Sequence, residues 1–310
     1  MELKPVENTI SCPKCGADQQ DGESCRHCGI IFHKYREKLS AGSRSSRPPI
    51  RPADSGFPYK TLIRLSQLIL LISLLLLILS NHQRAILPEM DFYDGARLPE
   101  PVQSDTTAEP FAVVSNDILY TINPIYDYQL HGVVVSFHNS DAWWDIYHHR
   151  SWQDFINVKD ICVIWGDNVA SGVYRKMAFK NTTWTCWATW PDSDTGRQFS
   201  MHQLSNNHLL IGDPRIREIA ENVAIGDQIR INGVLASYSH SNGRFARGTS
   251  TSRTDTGNGA CETIFVNDFE IVKKANPGWH KINLLAGWLA PISFLCMMLL
   301  VFKAPVRPND

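Results

Sequence analysis

The sequence predicts a mainly β chain in which a large β domain lies between two membrane-spanning helices and follows a small metal-binding segment. Three observations lead to this prediction: a group of four cysteines near the N-terminus, two long apolar runs, and several runs rich in β-branched residues between them. The predicted parts are a metal-binding segment (1–38), a disordered basic linker (39–61), a first transmembrane helix (62–80), a linker (81–110), the β domain (111–276), a second transmembrane helix (282–302) and a tail (303–310).

The four N-terminal cysteines have the spacing of a structural zinc site. Cys12 and Cys15 form one Cys-x-x-Cys pair, Cys25 and Cys28 form a second, and a glycine follows each pair. Such pairs make tight turns that aim both thiolates at one tetrahedral Zn²⁺ ion, and glycine tolerates the positive φ that these turns need. Four cysteine ligands leave no open coordination position, which favours a structural zinc over a catalytic one. Reduced cysteines place this segment in the cytosol, and a disulfide-linked loop is the alternative.

Residues 12–35, CPKCGADQQDGESCRHCGIIFHKY, resemble the short zinc ribbons at the N-termini of many bacterial membrane and regulatory proteins. The cysteines of that pattern match Cys12, Cys15, Cys25 and Cys28. The resemblance implies a bound zinc ion and a protein partner, and it implies no reaction.

Two apolar runs have the length of membrane spans. Residues 62–80 are almost wholly Leu and Ile, and residues 282–302 form a second run that contains Pro291. About 20 apolar residues cross a bilayer core, and membrane helices tolerate an internal proline. The first run lacks the cleavage site of a signal peptide and the polar face of a buried core helix, which is the alternative for such a segment.

The distribution of charge predicts the topology. Eight Lys and Arg lie in residues 33–64 against Glu37 and Asp54, and Lys303 and Arg307 follow the second span. Basic flanks stay in the cytoplasm, so we expect an inner-membrane protein with both termini cytoplasmic. The β domain then lies outside the cytoplasm, in the periplasm of a Gram-negative bacterium.

The region between the spans carries strand signals and one helix signal. The runs predicted as strands combine β-branched residues with alternation, and they cover residues 128–137, 161–166, 183–190, 228–238 and 263–272. Residues 214–223 place apolar side chains at helical spacing, which predicts a short amphipathic helix between the third and fourth strands. Asp213 is expected to cap this helix, with Pro214 in its first turn.

This order of strands and helix resembles an oligonucleotide/oligosaccharide-binding (OB) barrel, and residues 225–233, IGDQIRING, are similar to the fourth strand of many OB domains. The insert at 139–175 departs from that pattern, and a generic β-sandwich is the alternative. The resemblance implies a surface that binds nucleic acid, sugar or protein. Residues 81–281 contain 17 Lys and Arg against 23 Asp and Glu, a net charge of −6, which disfavours nucleic acid. We expect a protein or envelope-polymer partner.

The insert contains two candidate sites. His138, Asp141, His148 and His149 offer the side chains of a metal or acid–base site, although their spacing matches no known metal motif and a solvated polar loop is the alternative. Trp143 and Trp144 offer an aromatic binding platform. Their alternative role is to anchor the insert or to lie at the membrane surface.

The third candidate site is the polar loop 242–262, at a position that OB domains use for binding. Arg247 and Arg253 can grip carboxylates there, and a flexible hairpin is the alternative. The domain's three cysteines predict one disulfide and one leftover thiol. The OB resemblance implies the pair Cys186–Cys261, because the corresponding strands are neighbours in such a barrel.

The sequence therefore predicts a membrane-anchored binding or assembly protein, with a cytosolic structural zinc ribbon and a β domain that faces the envelope. The reason is a strong metal-binding signal beside a β domain without a recognisable reaction motif. The alternative is a membrane-anchored envelope enzyme that uses the histidine-rich insert, residues 138–149.

Overall fold

The structure is a computed structural model, and it describes residues 9–44, 57–95, 98–242, 245–255 and 261–304. The chain divides into two compact units, Met1–Tyr59 and Lys60–Asp310.

The first unit is built around the cysteines. Its elements are β1 (Thr9–Ser11), β2 (Asp18–Gln20) and α1 (Phe32–Arg44), and the two strands pair antiparallel. Phe32 is buried with Cys12 and Cys25 in a small apolar cluster. The helix continues to Arg44, so the start of the segment predicted as a disordered linker is helical instead. Residues 45–56 of that predicted linker lie outside the described residues.

The second unit contains both strands and helices. Its strands are β3 (Val102–Asp105), β4 (Phe111–Ser115), β5 (Ile118–His138), β6 (Asn157–Ile164), β7 (Ala178–Asn181), β8 (Cys186–Thr189), β9 (Leu204–Leu210), β10 (Gln228–His240), β11 (Ala246–Arg247) and β12 (Glu262–Lys273). Its α-helices are α2 (Tyr59–Gln83), which begins at the unit boundary, α3 (Asp167–Ala170), α4 (Ser193–Gln198), α5 (Pro214–Glu221) and α6 (Pro277–Lys303). The prediction of a mainly β chain is corrected to a mixed one, because these helices accompany the sheet.

One eight-stranded sheet organises this unit. Its order is β11-β10-β12-β9-β6-β5-β3, β4 also pairs with β5, and β10 pairs with β5 over Gln228–His240. The pairing of β9 with β12 is parallel, whereas the other pairings are antiparallel. The strands β3 and β4 also pair with β5, and β11 pairs with β10, so strands attached beside the circuit of β5, β6, β9, β12 and β10 keep the sheet from being a simple closed barrel. Leu130, Ile161, Leu209 and Ile231 are fully buried in its main apolar core.

Most of the predicted elements are present. The runs at 128–137, 161–166, 228–238 and 263–272 fall in or beside β5, β6, β10 and β12. The helix α5 begins at Pro214, and the Asp213 side chain accepts a hydrogen bond from Arg215 N, so the predicted cap is confirmed. The run 183–190 was expected to be the third strand of the main sheet, and this prediction is wrong. It contains β8, which pairs with β7 in a separate two-stranded sheet, while β9 takes the place in the main sheet.

Two helices are long and apolar enough to cross a membrane: α2 and α6, with 25 and 27 residues. They contact one another through small and polar side chains. Asn283 Nδ2 donates to Ser80 Oγ at 3.0 Å, and Arg84 Nη1 donates to Asn283 Oδ1 at 3.1 Å. Ala286 and Ala290 are buried, which allows close approach of the helix backbones.

The segment after α2 packs onto the domain, although the sequence predicted a linker there. Asn276 Nδ2 donates to Ile86 O at 2.7 Å, and Tyr174 OH donates to Pro88 O at 2.5 Å. Tyr93 OH donates to Gly226 O at 3.1 Å. These bonds hold the C-terminal end of α2, the N-terminal end of α6 and the sheet together in one junction.

Candidate functional site

The four N-terminal cysteines converge. Cys12 Sγ lies 3.7 Å from Cys28 Sγ, Cys15 Sγ lies 3.7 Å from Cys25 Sγ, and all four sulfurs lie within 4.8 Å of one another. Two thiolates on a tetrahedral zinc, each about 2.3 Å from the ion, are about 3.8 Å apart. The spacing therefore fits a Cys₄ zinc site, which is what the sequence predicted of these residues.

The turns behind the cysteines explain the convergence. Gly16 N donates to Cys12 O and Gly29 N donates to Cys25 O, each at 2.9 Å, so each Cys-x-x-Cys pair curls into one turn. Gly16 and Gly29 have φ of 76° and 74°, the region expected of both glycines. Replacement of either by a residue with a side chain would strain the turn.

A row of polar side chains crosses the large sheet. His138 on β5 is directly opposite Asp160 on β6, and Asp160 is directly opposite His208 on β9. Residues that are directly opposite share one face of a sheet, so the three side chains lie side by side. Asp160 and His208 are fully buried. We call His138, Asp160 and His208 the polar row.

Asp160 and His208 of the polar row share a short hydrogen bond. His208 Nδ1 lies 2.5 Å from Asp160 Oδ1, which also accepts from Asn157 Nδ2 at 2.9 Å. Burial would raise the pKa of Asp160, but the interactions with His208, His148 and Arg247 together outweigh it, and the net shift is downward. Burial lowers the pKa of His208 and keeps the imidazole neutral. The Nδ1–H then donates to Asp160, and Nε2 is left as an acceptor.

Arg247 uses that acceptor. Its Nη2 lies 2.7 Å from His208 Nε2, and its guanidinium lies 3.5 Å from the ring centroid of Trp184. Both of these direct partners are neutral, so they orient the cation without cancelling its charge. Arg247 itself is half-buried and belongs to the short edge strand β11.

A cleft of about 1360 Å³ opens above Arg247. Its lining combines aromatic and polar side chains, among them Trp152, Trp184, Trp187, Phe245, Asn206 and Arg247. Apolar walls with a few oriented polar groups are typical of ligand-binding clefts. The arrangement suits a ligand that pairs an apolar body with an anionic group.

Arg253 has a different environment from Arg247, although the sequence grouped them. Its Nη1 lies 2.5 Å from Glu262 Oε1, and its Nη2 donates to Tyr128 OH at 2.9 Å. The Glu262 side chain is 4% exposed, and burial raises its pKa to about 7 against the opposing effect of Arg253. This guanidinium is therefore engaged with a buried carboxylate, and the loop that carries it is attached to the sheet.

The histidine-rich insert is brought together only in part. Asp145 Oδ2 lies 2.6 Å from His138 Nε2 and 2.7 Å from His148 Nδ1. The side chains of His149 and Asp141 do not join this group and form a pair of their own, with His149 Nε2 3.9 Å from Asp141 Oδ1. Asp141 also pairs with Arg217 at 2.6 Å, and the His149 ring stacks on a neighbouring phenylalanine.

Trp143 and Trp144 are exposed by 83% and 61%, with their rings edge to face at 5.6 Å. Both rings are therefore accessible to a ligand, as a binding platform requires. That they bind one stays a prediction.

The disulfide differs from the expected one. Cys162 on β6 is bonded to Cys186 on β8, and Cys261 is a free cysteine, so the expected pair Cys186–Cys261 is wrong. The reason is the position of β8, which lies outside the main sheet and beside β6. Cys261 contacts Asn206 and the Trp184 carbonyl at 3.4 and 3.5 Å.

Several residues of this site are not predicted by the sequence pattern: Asn157, Asp160, Trp184 and Asn206. The signal of Asp160 and Asn206 is a polar residue beside aliphatic residues in a short strand, as in DICVI and SNNHLL, whereas Trp184 lies outside the strands. A strand with polar side chains on its covered face breaks the expected alternation, so the pattern was not recognised.

No protein-family model, no curated protein and no solved structure matches this chain. The geometry of the four cysteines supports a possible zinc site, and the resemblances to a zinc ribbon and to an OB domain stay predictions from the sequence.

Proposed function

We propose that this chain is a two-span membrane protein with a cytosolic structural zinc ribbon and a β domain that binds a ligand outside the cytoplasm. Two opposite redox requirements support the topology. The cysteine cluster needs thiolates to hold zinc, whereas the β domain contains the disulfide Cys162–Cys186. Thiolates persist in the cytosol and disulfides persist outside it, so the two parts belong on opposite sides of a membrane. The basic flanks of α2 and α6 favour the same orientation.

Reporter fusions test this topology. A reporter that is active only outside the cytoplasm is expected to work when fused after residue 116 and to be silent after residue 40. Activity after residue 40 would contradict the proposed orientation and would place the zinc cysteines in an oxidising space.

The β domain is proposed to be OB-like. Support comes from the strand pairings, which run β5–β6–β9–β12–β10 and return to β5, with β9 and β12 parallel. The helix α5 joins β9 to β10, the position at which the sequence resemblance placed it. In such a domain the loops at one end and one strand face form the binding surface.

The observation that carries the binding function is Arg247 at the cleft. A guanidinium that is held by an indole and by a neutral imidazole is pre-oriented, so little order is lost when it meets an anion. The surrounding domain is acidic, which opposes a polyanion such as nucleic acid. The proposed ligand is a local acidic group on a protein or an envelope polymer, attached to an apolar body that contacts the tryptophans.

A small aromatic carboxylate tests the cleft. Phenylacetate is titrated into the full-length protein in detergent while tryptophan fluorescence is followed, with phenylacetamide as the neutral probe. A charge-assisted hydrogen bond contributes about 1.5–3 kcal/mol, so phenylacetate should bind at least about tenfold more tightly than phenylacetamide.

The variant Arg247→Ala is expected to remove that preference. Arg230→Ala is the matched control, because Arg230 pairs with Asp268 and Glu270 and is not among the residues that line the cleft. Equal binding of the two probes by the wild type, or an unchanged preference in Arg247→Ala, would contradict the proposal.

A second candidate function is a membrane-anchored envelope enzyme that uses the histidine-rich insert. The observation that favours it is the contact of His138 and His148 with one carboxylate oxygen of Asp145. A metal ion at this group would support the enzyme.

A further inference from the structure

We propose that His138, Asp145 and His148 form a second metal site, separate from the cysteine cluster and from Arg247, which takes a divalent transition-metal ion of the class that includes Zn²⁺. The three ligand atoms are His138 Nε2, His148 Nδ1 and an oxygen of Asp145, and all lie within 4.8 Å of one another. Two imidazoles and one carboxylate are a common donor set for zinc and for other first-row transition metals.

The distances allow an ion to enter with small movements. Asp145 Oδ2 lies 2.6 Å and 2.7 Å from the two imidazole nitrogens. Ligand atoms about 2.1 Å from a tetrahedral ion are about 3.4 Å apart. Each nitrogen–oxygen pair must therefore separate by less than about 1 Å, while the ion replaces the protons that lie between them.

The backbone orients the ligands. His138 is the last residue of β5, so its position is set by the pairing with Asp160. Asp145 Oδ1 accepts from His148 N at 3.1 Å, which leaves Oδ2 directed at the two rings. His148 lies in a π-helical turn, Tyr147–Ser151, a conformation that often marks functional sites.

The group is shielded from water on most sides. The Asp145 side chain is 3% exposed, and that of His148 is fully buried. The donor atoms of the group are a carboxylate oxygen and two imidazole nitrogens, which are ligand types that Zn²⁺ takes in proteins.

One side of the group reaches solvent. The His138 side chain is 23% exposed, whereas those of Asp145 and His148 are buried. An ion can enter from that side, and three protein ligands leave a coordination position for water. Three ligands with an open position are typical of catalytic zinc, whereas the four cysteines of the first unit form a closed set.

Metal analysis of the full-length protein in detergent tests the proposal. The wild type is expected to hold two zinc ions per chain and Asp145→Asn one. The matched control His149→Ala changes a neighbouring imidazole that is outside the group, and it should keep two. One ion in the wild type, with none in Cys12→Ser/Cys15→Ser, would overturn the proposal.

A second measurement does not depend on how well Asp145→Asn folds. The variant Cys12→Ser/Cys15→Ser lacks the cysteine site and is titrated with Co²⁺ alone. It should bind one ion per chain with the visible absorption of nitrogen and oxygen ligands and without a thiolate charge-transfer band. Absence of Co²⁺ binding in this variant, while its β domain shows the wild-type melting temperature, would overturn the second site.

Discussion

Replacement of Arg253 by alanine should reduce stability in a pH-dependent manner, because its partner is a buried carboxylate. The substitution removes the guanidinium from Glu262 Oε1, at 2.5 Å, and from Tyr128 OH, at 2.9 Å. Glu262 is almost fully buried, so water cannot replace the lost partner. The cost then depends on whether Glu262 is ionised.

The sign of the effect follows from the raised pKa of Glu262. Burial moves it from 4.5 to about 7 in the folded protein. A carboxyl with a raised pKa contributes stability at low pH, and this contribution is lost as the pH rises from 4.5 to 7. The loss is about 1.4 kcal/mol per pH unit, or about 3 kcal/mol in the wild type. Without Arg253 the pKa of Glu262 rises further, so the variant continues to lose stability above pH 7.

The expected magnitudes are about 1 kcal/mol at pH 5.5 and about 3 kcal/mol at pH 8.5. At the lower pH the carboxyl is neutral in both proteins and only hydrogen bonds are lost. At the higher pH Glu262 is ionised in the wild type and still neutral in the variant. This difference adds about 1.4 kcal/mol per pH unit above pH 7 to the loss of the hydrogen bonds.

The assay is thermal unfolding of the full-length protein in detergent, followed by tryptophan fluorescence at both pH values. Each kcal/mol lowers the melting temperature by about 2–4 °C in a unit of this size. Arg230→Ala is the control, because its carboxylate partners Asp268 and Glu270 are exposed, and its change should stay within about 0.5 kcal/mol at both pH values. An equal loss for Arg253→Ala at pH 5.5 and pH 8.5 would refute the reasoning.

Three further predictions concern the disulfide, a buried lysine and the helix pair. Peptide mapping after alkylation should recover Cys162 joined to Cys186 and Cys261 as the alkylated thiol; a Cys186–Cys261 peptide would contradict this. Lys159 Nζ donates to three carbonyls at the end of α5, and burial lowers its pKa to about 7. Lys159→Met should therefore cost about 2 kcal/mol at pH 10.5, where this lysine is neutral in the folded protein and only its hydrogen bonds are lost. It should also remove the rise in melting temperature between pH 7 and 10.5 that the wild type owes to this group. Asn283→Leu removes the hydrogen bonds of α6 to Ser80 of α2 and to Arg84, the residue after α2, and should lower stability in detergent by about 1 kcal/mol, whereas an unchanged melting temperature would show that these bonds contribute nothing.

The elements that the sequence predicted correctly carry local signals. The helix α5 has an aspartate cap, a proline at its first turn and apolar residues at helical spacing, and each of these acts within a few residues. The same holds for the Cys-x-x-Cys turns, where spacing and a following glycine determine the geometry.

The strand β9 was missed because its decisive contacts are not local. Asn206, Asn207 and His208 are buried, yet a run of such polar residues is typical of a loop. Their side-chain nitrogens bond to partners on β6 and to the segment around Trp184, which are distant in sequence. The polar residues of the candidate site are therefore the reason why the sequence pattern did not predict β9.

The strand β8 shows the opposite error. Its tryptophan and cysteine alternation has the period of a sheet strand, but Cys186 and Ala188 pack against the outer apolar cluster of the β domain. The periodicity predicted an extended conformation correctly. It contained no information on which sheet the strand joins, because a strand beside the sheet and a strand within it bury alternate residues in the same way.

The junction between the helices and the sheet has a mechanical consequence. Asn276 ties the start of α6 to the carbonyl of Ile86, while Tyr93 and Tyr174 bind this same short segment to the domain. Because both helix ends are hydrogen-bonded at one place, we expect little rotation of the domain relative to the helix pair. The cleft above Arg247 should then keep its orientation relative to these helices, and a ligand of the cleft should approach it from a limited set of directions.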